Sequence, residues 1–166
     1  MNQTFRFVIA GVLTLLLVVG AVTAWAGPAR RGTVPLPPDG GEGECGDDFF
    51  WVGTATIKVE GTCEVEIHVY HEDHEDDMTE LEDKYSKIPS DKKLLTDVVE
   101  VNVTSGEAES ITACFAYPPE TEQQKPEINH FTGGWLPESS KVVDGPPREL
   151  CSPHNETGAY ALLADK

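Results

Sequence analysis

The sequence predicts a mostly β protein: an antiparallel β-sandwich with one short helix or helical loop, following a signal peptide and a Pro/Gly-rich linker. Three observations lead there. Apolar and polar residues alternate over several short runs, the period-two pattern of half-buried antiparallel strands. Turn-forming residues break those runs at short intervals, and helical periodicity surfaces in only one stretch. Four cysteines, Cys45, Cys63, Cys114 and Cys151, lie among the same runs. In an oxidising compartment an even cysteine count reads as two disulfides.

Residues 1–26 are expected to be the signal peptide. Arg6 is followed by no charge from Phe7 to Ala29, and Ala24-Trp25-Ala26 fits a signal-peptidase site, with Val22-Thr23-Ala24 as a second cleavage point. An uncleaved anchor is the alternative, because the apolar run approaches a bilayer span of ~20 residues. The small residues and Pro28 that follow directly favour cleavage. Residues 27–44 are expected to be a flexible linker, since Gly27 to Gly43 holds nine Pro or Gly in seventeen residues. A single β-sandwich domain is then expected over 45–166.

Within that domain, "FFWVGTATIKVEG" and "TCEVEIHVYH" read as a hairpin turning at Gly61-Thr62. Alternation places Cys63, Val65, Ile67 and Val69 on the inner face, and Glu64, Glu66, His68 and Tyr70 on the outer one. Met78 to Lys87 is the helical stretch, with Met78, Leu81 and Tyr85 at i, i+3 and i+7 and Thr79 as a cap. "TDVVEVNVTS" turns Val99, Val101 and Val103 inward, and "ESITACFAYPP" is a strand stopped by Pro118-Pro119. "EINHFTGGWLP" reads as strand, turn and strand, and "TGAYALLA" closes the chain.

Charge narrows the partners. Twelve basic residues against 29 acidic ones give a net charge of −17. That excludes nucleic acid, whose phosphates need a basic face, and anionic membrane surfaces. An acidic surface fits cation binding or a well-solvated secreted protein. Four cysteines allow three connectivities, and spacing alone does not choose among them.

The C-terminal third, "SITACFAYPP…EINHFTGGWLPESSKV…ELCSPHNETGAYALLA", resembles the β-sandwich tail module of bacterial secreted and cell-surface proteins. The resemblance covers about residues 111–164. It implies a β-sandwich used at the cell surface for adhesion or display, without known catalysis, whose partner is an extracellular protein or surface ligand. It also implies that Cys114 pairs with Cys151 inside the module, which leaves Cys45 for Cys63. More distantly the region is similar to β-sandwich modules of ankyrins and netrin receptors, some of which cleave themselves at His-Phe-Ser. Here the counterpart is His130-Phe131-Thr132, which reads as an ordinary hairpin with Phe131 inward.

Motifs for catalysis are absent: no G-x-S-x-G, no phosphate-binding glycine loop, and serines placed where turns use them. The expectation is therefore a non-enzymatic, secreted or extracellular domain (cell surface or periplasm) with a binding or structural role. The alternative is an extracytoplasmic divalent-metal-binding protein built on "HVYHEDHEDD", with His68, His71 and His74 as ligands. Three imidazoles at that spacing could surround one ion only if Val69 to His74 formed a helix or tight loop. The acidic run Glu72–Asp77 opposes such compaction by self-repulsion. The expected behaviour is a solvated loop that collects a divalent cation weakly, with no other cofactor.

Overall fold

Residues 32–145, 147–154 and 156–166 are described by a computed structural model; the expected signal peptide lies outside them. Two long strands organise the chain. β4 (Ala55–Tyr70) and β6 (Val98–Ala116) pair antiparallel from Ala55 opposite Phe115 to Tyr70 opposite Val98. Their register slips at Glu60/Gly61 and again at Glu64/Val65. Gly61 has φ +135° and Gly106, on the facing strand, φ +78°. A Cβ on Gly61 would lie 2.4 Å from the Glu107 carbonyl oxygen, so only glycine lets the strands approach at this bulge. Gly61-Thr62 is thus a bulge inside one strand and not the expected hairpin turn. The turn sits at Gly53-Thr54, between β3 (Phe49–Val52) and β4.

The bulges split the β4–β6 ladder into halves with different neighbours. On one half, β3 flanks β4 and β1 (Thr33–Pro35) lies parallel to β3, while β10 (Glu149–His154) flanks β6 and carries β9 (Lys141–Val143). On the other half, β2 (Gly40–Glu44) flanks β4 and β11 (Gly158–Asp165) flanks β6. Beyond β11 come β7 (Glu127–Phe131) and β8 (Trp135–Pro137), and β5 (Lys92–Leu94) pairs with the end of β11. Among the described residues these strands form one continuous, mixed and open sheet. Its two wings fold over a shared core. Ile57, Val59, Ile111 and Phe115 of the first wing meet Val65, Ile67, Val101, Ile128 and Leu162 of the second. Full burial of each such side chain is worth about 1.5–3 kcal/mol.

Structure begins before Cys45. Residues 33–44, expected within a flexible linker, supply β1 and β2. The glycines there serve close approach. A Cβ on Gly40 would lie 1.9 Å from the Ile67 carbonyl oxygen, and one on Gly43 would strike the Phe50 ring. Both expected disulfides are present, Cys45–Cys63 and Cys114–Cys151. The first clamps the chain between β2 and β3 onto the bulged part of β4, where Cys45 N–H donates to the Cys63 carbonyl at 2.9 Å. The second joins directly opposed residues of β6 and β10.

The helix α1 spans Glu75–Tyr85, and a 3-10 turn at Pro119–Gln124 adds a second, shorter helical segment. α1 starts earlier than the expected Met78. Glu75, Asp76 and Asp77 in its first turn complement the positive end of the helix dipole, a signal that outweighed the apolar spacing used to place it. Its N-cap residue is His74, and the Thr79 hydroxyl instead donates to the Glu75 carbonyl at 2.8 Å. Leu81 is fully buried, with Tyr70, Val98, Ala161 and Leu163 in one cluster that Met78 and Tyr85 flank. The sheet face expected to be outer is therefore covered here.

Glu100 lies beneath α1, 1 % exposed. It accepts from the Tyr70 hydroxyl at 2.7 Å, from Lys84 Nζ at 2.6 and 2.9 Å, and from Asn102 Nδ2 at 2.7 Å. Burial alone would raise its pKa, but the Lys84 ammonium and hydrogen bonds from Tyr85, Tyr70 and Asn102 outweigh that and hold it at about 2. A depressed carboxyl contributes stability that is present above its unfolded value and lost as pH falls through the folded one. Glu100→Gln should therefore lower stability at pH 7 by about 1–3 kcal/mol, with the gap closing toward pH 2. Urea unfolding at pH 7, 4 and 2 checks this, and a deficit independent of pH would contradict it. Replacing Cys45 and Cys63 by serine should cost about 3 kcal/mol in the same measurement.

Candidate metal centre at the β4–α1 turn

The chain leaves β4 at Tyr70 and enters α1 at Glu75 through a tight turn, closed by His74 N–H donating to the His71 carbonyl at 3.1 Å. Acidic side chains hold this turn together. His71 N–H donates to Asp77 Oδ2 at 3.0 Å, and Glu72 N–H to Asp97 Oδ1 at 3.1 Å. The acidic run thus compacts where repulsion was expected to keep it open, because two carboxylates serve as acceptors for backbone N–H groups.

The turn brings His71, His74 and Asp77 together, each offering one ligand atom within 4.8 Å of the others. The two imidazole centroids are 5.0 Å apart. His68 stands outside this group. It belongs to β4, in register with Glu100 and Gly40, and its ring meets the Tyr70 ring edge-on at 4.5 Å. The reason is the change of period. A strand turns alternate residues to opposite faces, whereas a turn running into a helix aligns positions three apart. The H-x-x-H-x-x-H spacing extends forward as H-x-x-H-x-x-D, so the third candidate ligand is Asp77 and not His68.

His71 sits between carboxylates, with Nε2 3.3 Å from Asp39 Oδ1 and Nδ1 3.4 Å from Asp97 Oδ2. Partial burial disfavours its charged form, but Asp39, Asp97 and Asp77 together outweigh that and raise its pKa above 6.5. His74, more exposed, faces Asp77 at 3.6 Å and Asp73 at 3.8 Å. Glu72 is raised by burial and by the neighbouring Asp97 and Asp73 charges. From His71 onward the first basic residue is Lys84, so these carboxylates crowd one another without a local counter-charge in sequence. Imidazole nitrogens with a carboxylate suit zinc, copper(II) or nickel(II). Asp39 and Asp97 are placed to orient whichever His71 nitrogen does not ligate.

Among the described residues two other groupings arise. Cys114 and Cys151 lie near Glu149, but the sulfurs are joined and offer no thiolate. His130, Glu138 and His154 also converge. That convergence escaped sequence reading because the residues come from three separate segments. In the sequence His130 stands out only within His130-Phe131-Thr132, which does form a hairpin, with Phe131 packed beside Trp135 and Tyr85. A histidine in two strands that the fold brings together leaves no local spacing to find.

The electrostatics of His71 carry an expectation of their own. A raised imidazole contributes stability in full below its unfolded pKa, and that contribution is lost as pH rises through the folded value. NMR titration of His71 should give a midpoint above 6.5, and Asp39→Asn/Asp97→Asn should lower it. An unmoved midpoint would show that these carboxylates do not set the proton affinity.

No protein-family profile matches the chain, and no curated protein matches it either.

Proposed function

We propose that the protein is an exported, non-enzymatic β domain that binds a divalent transition-metal cation at the β4–α1 turn through His71, His74 and Asp77. The observation that carries this reading is the convergence of two imidazoles and a carboxylate inside a ring of further carboxylates. A cation would compete with the proton for His71, and would relieve the repulsion that Glu72 feels. The two disulfides fit an oxidising environment, in keeping with secretion or display at the cell surface. A second reading keeps the role implied by the tail-module resemblance, binding of an extracellular protein or surface ligand. Exposed Leu136, Val142 and Val143 favour it.

Calorimetric titration with Zn²⁺ distinguishes the readings. Binding at micromolar or tighter affinity is expected, weakening as pH falls because protons compete for His71. His71→Ala/His74→Ala should remove one equivalent of zinc, and His68→Ala should leave binding unchanged. If only millimolar, salt-sensitive binding is found, the turn is a solvated acidic segment and the second reading takes over. A hydrolase activity abolished by one point substitution would overturn the non-enzymatic assignment.

A further inference from the structure

A second set of imidazoles lies where the two wings meet. His130 comes from β7 on one wing, His154 from the end of β10 on the other, and Glu138 from the residue after β8. Glu138 N–H donates to the Ile128 carbonyl at 2.8 Å, which ties this carboxylate to the β7 side. One carboxylate oxygen lies 4.0 Å from His130 Nδ1 and the other 3.9 Å from His154 Nδ1. Both separations are too long for hydrogen bonds. The three side chains surround a gap and do not close on one another.

The protons make that gap informative. His130 Nε2 lies 3.2 Å from the Thr157 carbonyl oxygen, which can only accept. In the neutral ring Nε2 therefore carries the hydrogen, and the Nδ1 lone pair faces Glu138. A metal-ligating histidine is oriented in just this manner, with its second nitrogen donating to a carbonyl. His154 supplies the independent observation. Its side chain is only 7 % exposed, its Nδ1 faces Glu138, and among the described residues its buried Nε2 has no hydrogen-bond partner. A buried imidazole whose Nδ1 faces a carboxylate it does not reach leaves room for a ligand between the two.

Both rings are already fixed. Tyr160 stacks on His130 with centroids 4.5 Å apart and planes 12° from parallel, and it meets His154 at 5.0 Å. The Tyr160 hydroxyl in turn donates to the Glu156 carbonyl. The cleft in front is lined by Thr132, Pro153 and Glu156 as well as the three candidate ligands, leaving a fourth position open to solvent.

We propose that His130, Glu138 and His154 form a second divalent-metal site that takes zinc or a similar borderline cation and cross-links the two wings of the sheet. Ligand atoms around a tetrahedral zinc stand about 3.4 Å apart, given bonds of about 2.1 Å. The His–Glu separations of 3.9 and 4.0 Å need only a small rotation of Glu138, which is the most exposed of the three. Two neutral imidazoles with the Glu138 and Glu156 carboxylates would balance a doubly charged ion.

The test uses the His71→Ala/His74→Ala protein, so that the turn site does not contribute. Zinc titration should still show one equivalent bound and a rise in melting temperature. Adding Glu138→Ala should weaken that binding by at least about tenfold while leaving the metal-free melting temperature unchanged. Long-range ¹⁵N NMR of the imidazoles should show His130 and His154, and no other histidine, shifting with zinc. No zinc uptake by the double variant, or uptake that survives Glu138→Ala, would overturn the proposal. If the Glu138→Ala protein fails to fold, the imidazole spectra of the double variant decide, and unmoved His130 and His154 signals count against the site. Loss of this site alone leaves the turn reading intact, because that reading depends on the equivalent removed with His71 and His74.

Discussion

Among the described residues every strand is placed, directly or through one neighbour or two, by the β4–β6 ladder. A straight antiparallel pair of 16 and 19 residues would project far beyond any core a chain of this size can build. The two register slips solve that problem. They bend the pair at Gly61 and Gly106, so each half gathers its own flanking strands and the halves close over the same apolar side chains. Cys45–Cys63 lies at the bend and holds the crossing segment against it. Gly61 and Gly106 therefore matter more than their exposure suggests, since a side chain at either would meet backbone and not a yielding side chain.

The far end of the ladder fixes the helix, and the helix fixes the turn. Glu100 draws Tyr70 from β4 and Lys84 from α1 onto one carboxylate. A buried carboxylate is costly when unpaired, so this arrangement favours one docking of α1 over others that would strand the charge. With α1 held at Lys84 and Leu81, and β4 held by its ladder, the short connection has little freedom. His71, His74 and Asp77 inherit their proximity from that constraint.

Much of the fold is legible in the sequence, and what is not has a common cause. Period-two alternation located parts of β4 and β6, though it read each of these long strands as two, turn residues marked β7 and β8, and the even cysteine count matched two disulfides. The errors lie where one residue type serves two physical ends. Glycine marks both turns and close backbone approach, so Gly61 read as a turn, and the Gly-rich β2 read as linker although Gly40 and Gly43 make room for Ile67 and Phe50. Acidic residues repel one another in a coil but accept backbone N–H groups in a turn, as Asp77 and Asp97 do. The helical spacing of His71 and His74 was visible, whereas the strand membership of His68 separated it from them. The His130–His154 pair was not legible at all, because only the folding of one wing over the other brings β7 to the end of β10.

The open sheet has a further consequence, for how these chains behave in each other's company. An unclosed sheet exposes rows of backbone donors and acceptors that a strand from another molecule could extend into a filament. Here the outer strands are poor templates. β1 ends at Pro35 and β8 at Pro137, which lack the N–H that a docking strand needs. β2 carries Glu42 between its glycines and ends at Glu44, and β9 is three residues long and begins with Lys141. With a net charge of −17 over the whole chain, like molecules also repel before their edges can meet. The margins that leave the fold open are thus built to resist accretion, and concentrated protein should stay dispersed without a barrel's closed hydrogen-bond ring.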